Sequence, residues 1–217
     1  MKQITFNVQR TAFVPFLGDL SEETEFVWIL LHGYRQSARD FLTLFSSEVT
    51  PYRCMIAPEG LSKFYSKGGD GPVVASWMTK ENRAAEIEDY LAYLTNVLNY
   101  VVSKSPKAGI FLLGFSQGAA TAARFFCQAE SNLVNSLILW GGVFPPDIVF
   151  GYKAEAVARP IFLVKGSSDP YLQENIKLPE FANHAIQIVF EGGHELPSDE
   201  IRRITQHVEN VYVDQAN

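Results

Sequence analysis

The chain has 217 residues, 47% of them hydrophobic and 19% charged, which rules out long disorder and predicts one domain able to bury its core without disulfides or metal. Its 18 basic and 24 acidic side chains leave a net charge of −6. With no Lys/Arg block, that balance argues against nucleic acid or an anionic membrane surface as partner. No apolar run approaches the roughly 18–20 residues of a membrane span. The segment MKQITFNVQR has neither an apolar core nor a cleavage site for a signal peptide, so a cytoplasmic location is expected. Cys54 and Cys127 lie in apolar stretches with no CxxC and no nearby histidine, which predicts two buried free thiols. The sequence carries no signal of oligomeric state.

The first residues alternate as a strand does, with Ile4, Phe6 and Val8 on one face. A second short strand is expected over 12–17, and Pro15 and Gly18-Asp19 make the pair read as an edge hairpin. FVWILL, residues 26–31, is a continuous apolar run, the mark of a strand buried on both faces. A helix is expected over 38–47 and a strand over 53–57. Residues 58–80 hold four glycines, two prolines and three large aromatics without a period, and read as a long functional loop. Ile87, Leu91, Leu94, Val97 and Leu98 recur at helical spacing and predict a helix over 81–103. Strand and helix then alternate: strand 109–114, helix 117–129, strand 136–140, strand 160–165, a short helix 171–175, strand 185–190 and helix 198–211. This order predicts a single α/β domain with a mostly parallel sheet and helices on both faces.

In such a sheet, ligands bind beyond the carboxyl ends of the strands. The strongest motif there is Gly114-Phe115-Ser116-Gln117-Gly118, a GxSxG. With 15 glycines in the chain, composition alone gives roughly 0.07 such motifs. The motif follows an apolar strand and opens a small-residue helix, the strand–turn–helix of a nucleophile elbow. The serine must sit on a strained turn, and its flanking positions need minimal side chains where helix and strand press together. Ser116 is therefore the candidate nucleophile.

A serine hydroxyl needs a general base, and the base needs an orienting acid. His184 precedes its strand and lies at the wrong edge. His207 is inside the last helix. His32 follows a strand but precedes the serine. His194, after the last strand in Glu191-Gly192-Gly193-His194, fits the order serine, acid, histidine. Of the two aspartates between them, Asp169 directly follows its strand in GSSDP. Asp147 lies several residues beyond the preceding strand, and an Asn there is expected to change little. The oxyanion is expected on two backbone N–H groups, that of Gln117 and one from His32-Gly33-Tyr34-Arg35, with Tyr34 as the candidate. Side-chain identity is expected to matter little at those two positions.

LLHGY, APEG, SWM, GFSQGA, SSDP and GGHEL, taken together over about residues 26–210, resemble the small carboxylesterase/phospholipase family of α/β-hydrolases, which includes the acyl-protein thioesterases. The resemblance implies the α/β-hydrolase fold with Ser116, Asp169 and His194 as triad. Family members often carry an SWFD-like tetrapeptide beside the pocket. Here it is Ser76-Trp77-Met78-Thr79, without the terminal Asp.

Trp77, Phe64 and Tyr65 read either as anchors packed on the domain or as walls of a substrate pocket. The stretch between the strands at Trp140 and Pro160 is too short for a lid domain. The expectation is a serine hydrolase of small-molecule esters or thioesters with short to medium acyl groups, needing no metal or organic cofactor. Two rivals stand beside it. One is hydrolysis of amides, lactones or carbon–carbon bonds on the same triad. The other is a binding protein that kept the fold without the catalysis.

Overall fold

The computed structural model describes residues 2–128, 133–151, 159–171 and 178–216. In chain order the elements are β1 (Phe16–Leu17), β2 (Phe26–Leu31), α1 (Ala38–Thr43), β3 (Arg53–Ile56), β4 (Ser62–Lys67), β5 (Asp70–Ser76), α2 (Arg83–Lys104), β6 (Gly109–Phe115), α3 (Gln117–Phe126), β7 (Ser136–Trp140), α4 (Pro146–Gly151), β8 (Ile161–Gly166), β9 (Ile186–Phe190) and α5 (Ser198–Ala216). Seven strands form one sheet in the order β1-β3-β2-β6-β7-β8-β9. All its neighbours are parallel except the edge pair β1–β3.

The continuous apolar runs are strands because both faces of the sheet are covered. On one side, Val27, Ile29, Leu31, Ile110 and Leu112 pack with Leu91, Leu94 and Leu98 of α2 and with Ala119, Ala122 and Phe126 of α3. On the other, Trp28, Leu30, Phe111 and Leu113 pack with Phe41 and Leu42 of α1 and with Ile201, Ile204 and Val208 of α5. A buried polar knot fastens α5 to the sheet. Glu209 accepts from Trp28 Nε1 at 2.9 Å and from Arg53 Nε at 2.6 Å, and a carboxylate so enclosed is held by its donors. Cys54 and Cys127 are free and buried, and burial pushes both thiols up to about 12.

Two expectations about local structure are corrected. Ile4, Phe6 and Val8 do not form a strand. They are 78%, 79% and 83% exposed, because alternation makes a strand only where a neighbouring strand supplies hydrogen bonds. Residues 58–80 are not an irregular loop. They contain the antiparallel hairpin β4–β5, turning at Gly68-Gly69 with both glycines at positive φ, the conformation a two-residue hairpin turn requires. The helix α4 was not anticipated, and the expected helix over 171–175 falls outside the described residues.

Candidate active site

The GxSxG turn is set by how closely α3 starts upon the sheet. A Cβ on Gly114 would stand 2.2 Å from Gly118 O, and one on Gly118 would stand 2.1 Å from Leu31 O. No side chain fits at either position. Between them Ser116 takes φ 55° and ψ −115°, which a non-glycine residue holds only when its surroundings impose it. Here Ser116 N–H donates to Trp140 O at 2.9 Å, and Ser116 O accepts from Ala119 N–H at 3.0 Å. The turn is thus bolted to β7 on one side and to α3 on the other.

Asp169 and His194 meet across two loops. Ser168 N–H donates to Gly192 O at 2.8 Å, which locks the loop after β8 to the loop after β9. His194 Nδ1 lies 2.8 Å from Asp169 Oδ2, and the Asp169 side chain is only 1% exposed. Its other oxygen accepts from Tyr171 N–H at 2.9 Å. A carboxylate in that position accepts a hydrogen bond from Nδ1–H, which leaves the unprotonated Nε2 as the basic nitrogen. The imidazole sits between two rings, with Phe115 at 4.8 Å and Tyr171 at 4.7 Å between centroids. Trp140 Nε1 fixes the next residue by donating to Glu195 O at 2.9 Å.

Gly141-Gly142, at the end of β7, brings the serine and the histidine into one neighbourhood. A Cβ on Gly141 would stand 3.0 Å from His194 Cε1, and one on Gly142 would stand 2.8 Å from Ser116 O. Among the described residues, no hydrogen bond joins Ser116 Oγ to His194. Such contacts tighten when substrate binds. Sequence reasoning missed the glycine pair and the two rings around His194. The pair was visible as GG directly after a strand, and the rings as the neighbours of Ser116 and of SSDP.

The turn His32-Gly33-Tyr34-Arg35-Gln36 stands over the other side of Ser116, with a Cβ on Gly33 only 3.3 Å from Ser116 Cβ. Its backbone donors can be accounted for one by one. Gly33 N–H donates to Gln36 Oε1 at 2.7 Å. Arg35 N–H donates to Ala75 O at 3.0 Å, and Gln36 N–H to Gly33 O at 3.3 Å. Among the described residues Tyr34 N–H has no acceptor. Gln117 N–H, in the first turn of α3, has none by the geometry of a helix start.

The expectation that Gln117's side chain matters little is corrected. Its Oε1 accepts from Trp77 N–H at 3.1 Å, and its Nε2 donates to Met78 O at 3.0 Å and Ser76 Oγ at 3.1 Å. The side chain fastens the end of β5 to the start of α3.

His32 is buried and structural. Gly60 N–H donates to its Nε2 at 3.0 Å, so Nδ1 carries the proton and donates to Gly33 O at 2.8 Å. Burial holds its pKa below the ordinary histidine value. Trp77 is an anchor rather than an open pocket wall. It is 1% exposed, donates from Nε1 to His32 O at 2.8 Å and lies 5.2 Å from the His32 ring. It borders a cavity of about 400 Å³ shared with Val8, Tyr93 and Glu86, which Ser116, Asp169 and His194 do not line. Phe64 and Tyr65 cannot form one wall, because neighbours on a strand point to opposite faces. Phe64 meets the Tyr34 ring at 5.8 Å, whereas Tyr65 is 54% exposed.

Asp147 is engaged elsewhere. It receives Arg124 Nε at 2.7 Å and Nη2 at 2.8 Å, with Arg83 Nη2 at 3.1 Å. The Arg124 hydrogen bond holds its carboxyl below the ordinary carboxylate range. The expectation that an Asn here changes little is therefore kept for turnover and revised for stability, because the Arg124 guanidinium is buried. Asp147 itself is half-exposed, so the expected loss for Asp147→Asn is moderate, about 1–2 kcal/mol. In a thermal melt that is a fall in Tm of about 3–6 °C at this chain length. The folded carboxyl binds protons less readily than the unfolded one. The pair's contribution is thus full above about pH 4 and lost as pH falls further, and the gap between wild type and variant should close in acid. A gap that widens below pH 4 would contradict this assignment.

The sequence matches the serine hydrolase (FSH1) family over residues 26–205. The chain belongs to that family and is an enzyme of the serine hydrolase class. No curated protein sequence matches it. Among solved structures it is similar to acyl-protein thioesterase 2 of Zea mays, with a TM-score of 0.71 and 16% identity over 93% of this chain and 100% of that one. It is also similar to the carboxylesterase of Bacillus cereus, with a TM-score of 0.65 and 18% identity over 92% and 94%. A third similar structure is esterase PE8, with a TM-score of 0.65 and 20% identity over 93% and 99%. At these identities the likeness is one of fold, and the fold is that of the α/β-hydrolases. No helix among the described residues is long and apolar enough to cross a membrane.

Proposed function

We propose that this enzyme hydrolyses carboxylic esters, thioesters included, with short to medium acyl groups, through an acyl-enzyme on Ser116. The observation that carries the reading is the 2.8 Å contact between His194 Nδ1 and buried Asp169, on a loop that abuts the glycine pair bordering Ser116. Ser116 Oγ attacks the acyl carbon and its proton passes to His194 Nε2. Asp169 supports the imidazolium that forms. The charge on the former carbonyl oxygen is received by the N–H groups of Tyr34 and Gln117, aided by the positive end of α3. Collapse expels the alcohol or thiol, which takes the proton from His194. Water, activated by the same imidazole, then releases the acid.

The exposed Tyr34 ring, packed on Phe64 at 5.8 Å, offers local apolar surface on the turn that borders Ser116, and no lid domain fits between β7 and β8. A sheltered acyl chain gains about 0.8 kcal/mol per buried CH₂, a gain that stops where the chain leaves the cleft. The expected profile on p-nitrophenyl esters, assayed below their micellar concentrations, is highest kcat/KM at short to medium acyl lengths and decline beyond about ten carbons. A steady rise out to palmitoyl esters would contradict the open-cleft reading. Turnover of anilides but not of aryl esters would move the assignment to amide bonds.

A further inference from the structure

The two N–H groups assigned to the oxyanion, of Tyr34 and Gln117, lie 83 residues apart in the chain, and neither is held in place by its own strand alone. Both segments are gripped from one side by the same short stretch, residues 75–78 at the end of β5. Gln117 takes hold of Ser76, Trp77 and Met78 through its carboxamide. Gln36 takes hold of Ala75 through its backbone, with Ala75 N–H donating to Gln36 O at 2.9 Å and Ala75 O accepting from Arg35. The Gln36 side chain then turns back, and its Oε1 accepts from Gly33 N–H at 2.7 Å.

That last contact does two things. It occupies the Gly33 N–H, so that the free donor of the turn is the one at Tyr34. It also closes a ring from Gly33 to Gln36 that holds Arg35 at φ 62°, in the left-handed region a side chain rarely adopts. Arg35 is pinned a second time, its Nη2 donating to Ser66 O on β4 at 3.0 Å. The hairpin β4–β5 thus braces the turn at both strands.

We infer that Gln36 is a positioning residue for the oxyanion site, setting Tyr34 N–H through Gly33, and that residues 75–78 form the common strut from which Gln36 and Gln117 aim the two donors. The inference rests on the ester-hydrolase reading of Ser116. Gln36 touches neither substrate nor the reacting atoms and acts only through the turn. Preorganised donors owe their effect to position, and loss of one outright costs about 10²–10³ in rate. Displacement of one donor should cost about 10–100-fold.

The test uses Gln36→Met, which keeps length and volume, and Gln36→Asn, which keeps polarity but is one methylene too short to reach Gly33. Three quantities are measured on both variants and wild type: Tm, kcat and KM on an aryl ester, and the affinity of an aryl boronic acid, whose tetrahedral adduct on serine places an oxygen at the oxyanion site. The expected result is a kcat reduced about 10–100-fold, KM changed less than about threefold, boronate affinity reduced in proportion to kcat/KM, and a Tm close to wild type. If either variant keeps wild-type kcat and boronate affinity, the inference is overturned. A purely structural role for Gln36 would instead lower Tm and leave kcat per folded molecule unchanged. Absence of boronate binding and ester turnover in wild type would overturn the underlying reading of Ser116, a result distinct from failure of the variants alone.

Discussion

Ser116→Ala is expected to reduce ester hydrolysis about 10⁶-fold in kcat, to a residue of turnover supplied by binding and the oxyanion donors alone. The size of the effect follows from the chemistry, because without Oγ there is no acyl-enzyme and nothing for His194 to activate but water. The fold should hardly notice. Alanine and serine meet the same difficulty at φ 55° and ψ −115°, and the backbone bonds to Trp140 and Ala119 do not involve the hydroxyl. A stability change within about 0.5 kcal/mol is expected. Turnover above about a tenth of wild type, measured on freshly purified protein with a chromogenic ester, would remove Ser116 from the mechanism.

Asp169→Asn is expected to lower kcat about 10⁴-fold with the fold intact. The substituted amide keeps an oxygen for Tyr171 N–H, so the turn at 169–171 survives. The other end of the side chain then presents an NH₂ to His194 Nδ1 where a carboxylate oxygen stood. The imidazole responds by carrying its proton on Nε2, where it can no longer accept from Ser116, and the cation formed during attack loses its support. Asp147→Asn serves as the control. Its arginine partners tie it to α2 and α3, so kcat should stay near wild type while Tm falls. The opposite pattern, with Asp147 governing kcat and Asp169 governing Tm alone, would mean that the acid comes from α4, after β7.

The parts of this site that could be read in the sequence are those written in contiguous residues. FVWILL, GIFLLGF and LILW are apolar without interruption because each lies between two helical layers, and a polar residue directly after such a run is at the ligand edge. That reasoning brought Ser116, Asp169 and His194 to one end of the sheet, where the structure also has them. The hairpin β4–β5 escaped because Phe64 and Tyr65 are adjacent and blur the alternation, although Gly68-Gly69 was a readable turn. The alternation at Ile4, Phe6 and Val8 misled for the complementary reason, since alternation is compatible with a strand but only a hydrogen-bonded neighbour makes one. The roles of Gln36 and Gln117 were out of reach. Each depends on a hydrogen bond to a strand about forty residues away in the chain, and nothing local in HGYRQ or GFSQG specifies that pairing. Trp77 was open to two readings until its indole N–H was placed on His32 O.

Whether Ser116 is the activated nucleophile is read most simply from the site of covalent capture by a fluorophosphonate. The reagent requires a serine made nucleophilic by a neighbouring base and an oxyanion site to receive its phosphoryl oxygen. Intact-mass spectrometry should show one adduct per chain, and peptide mapping should place it on Ser116, with labelling lost in Ser116→Ala and strongly slowed in Asp169→Asn. A wild-type chain that stays unlabelled, or that carries its adduct on another residue, would mean that Ser116 is not the activated nucleophile.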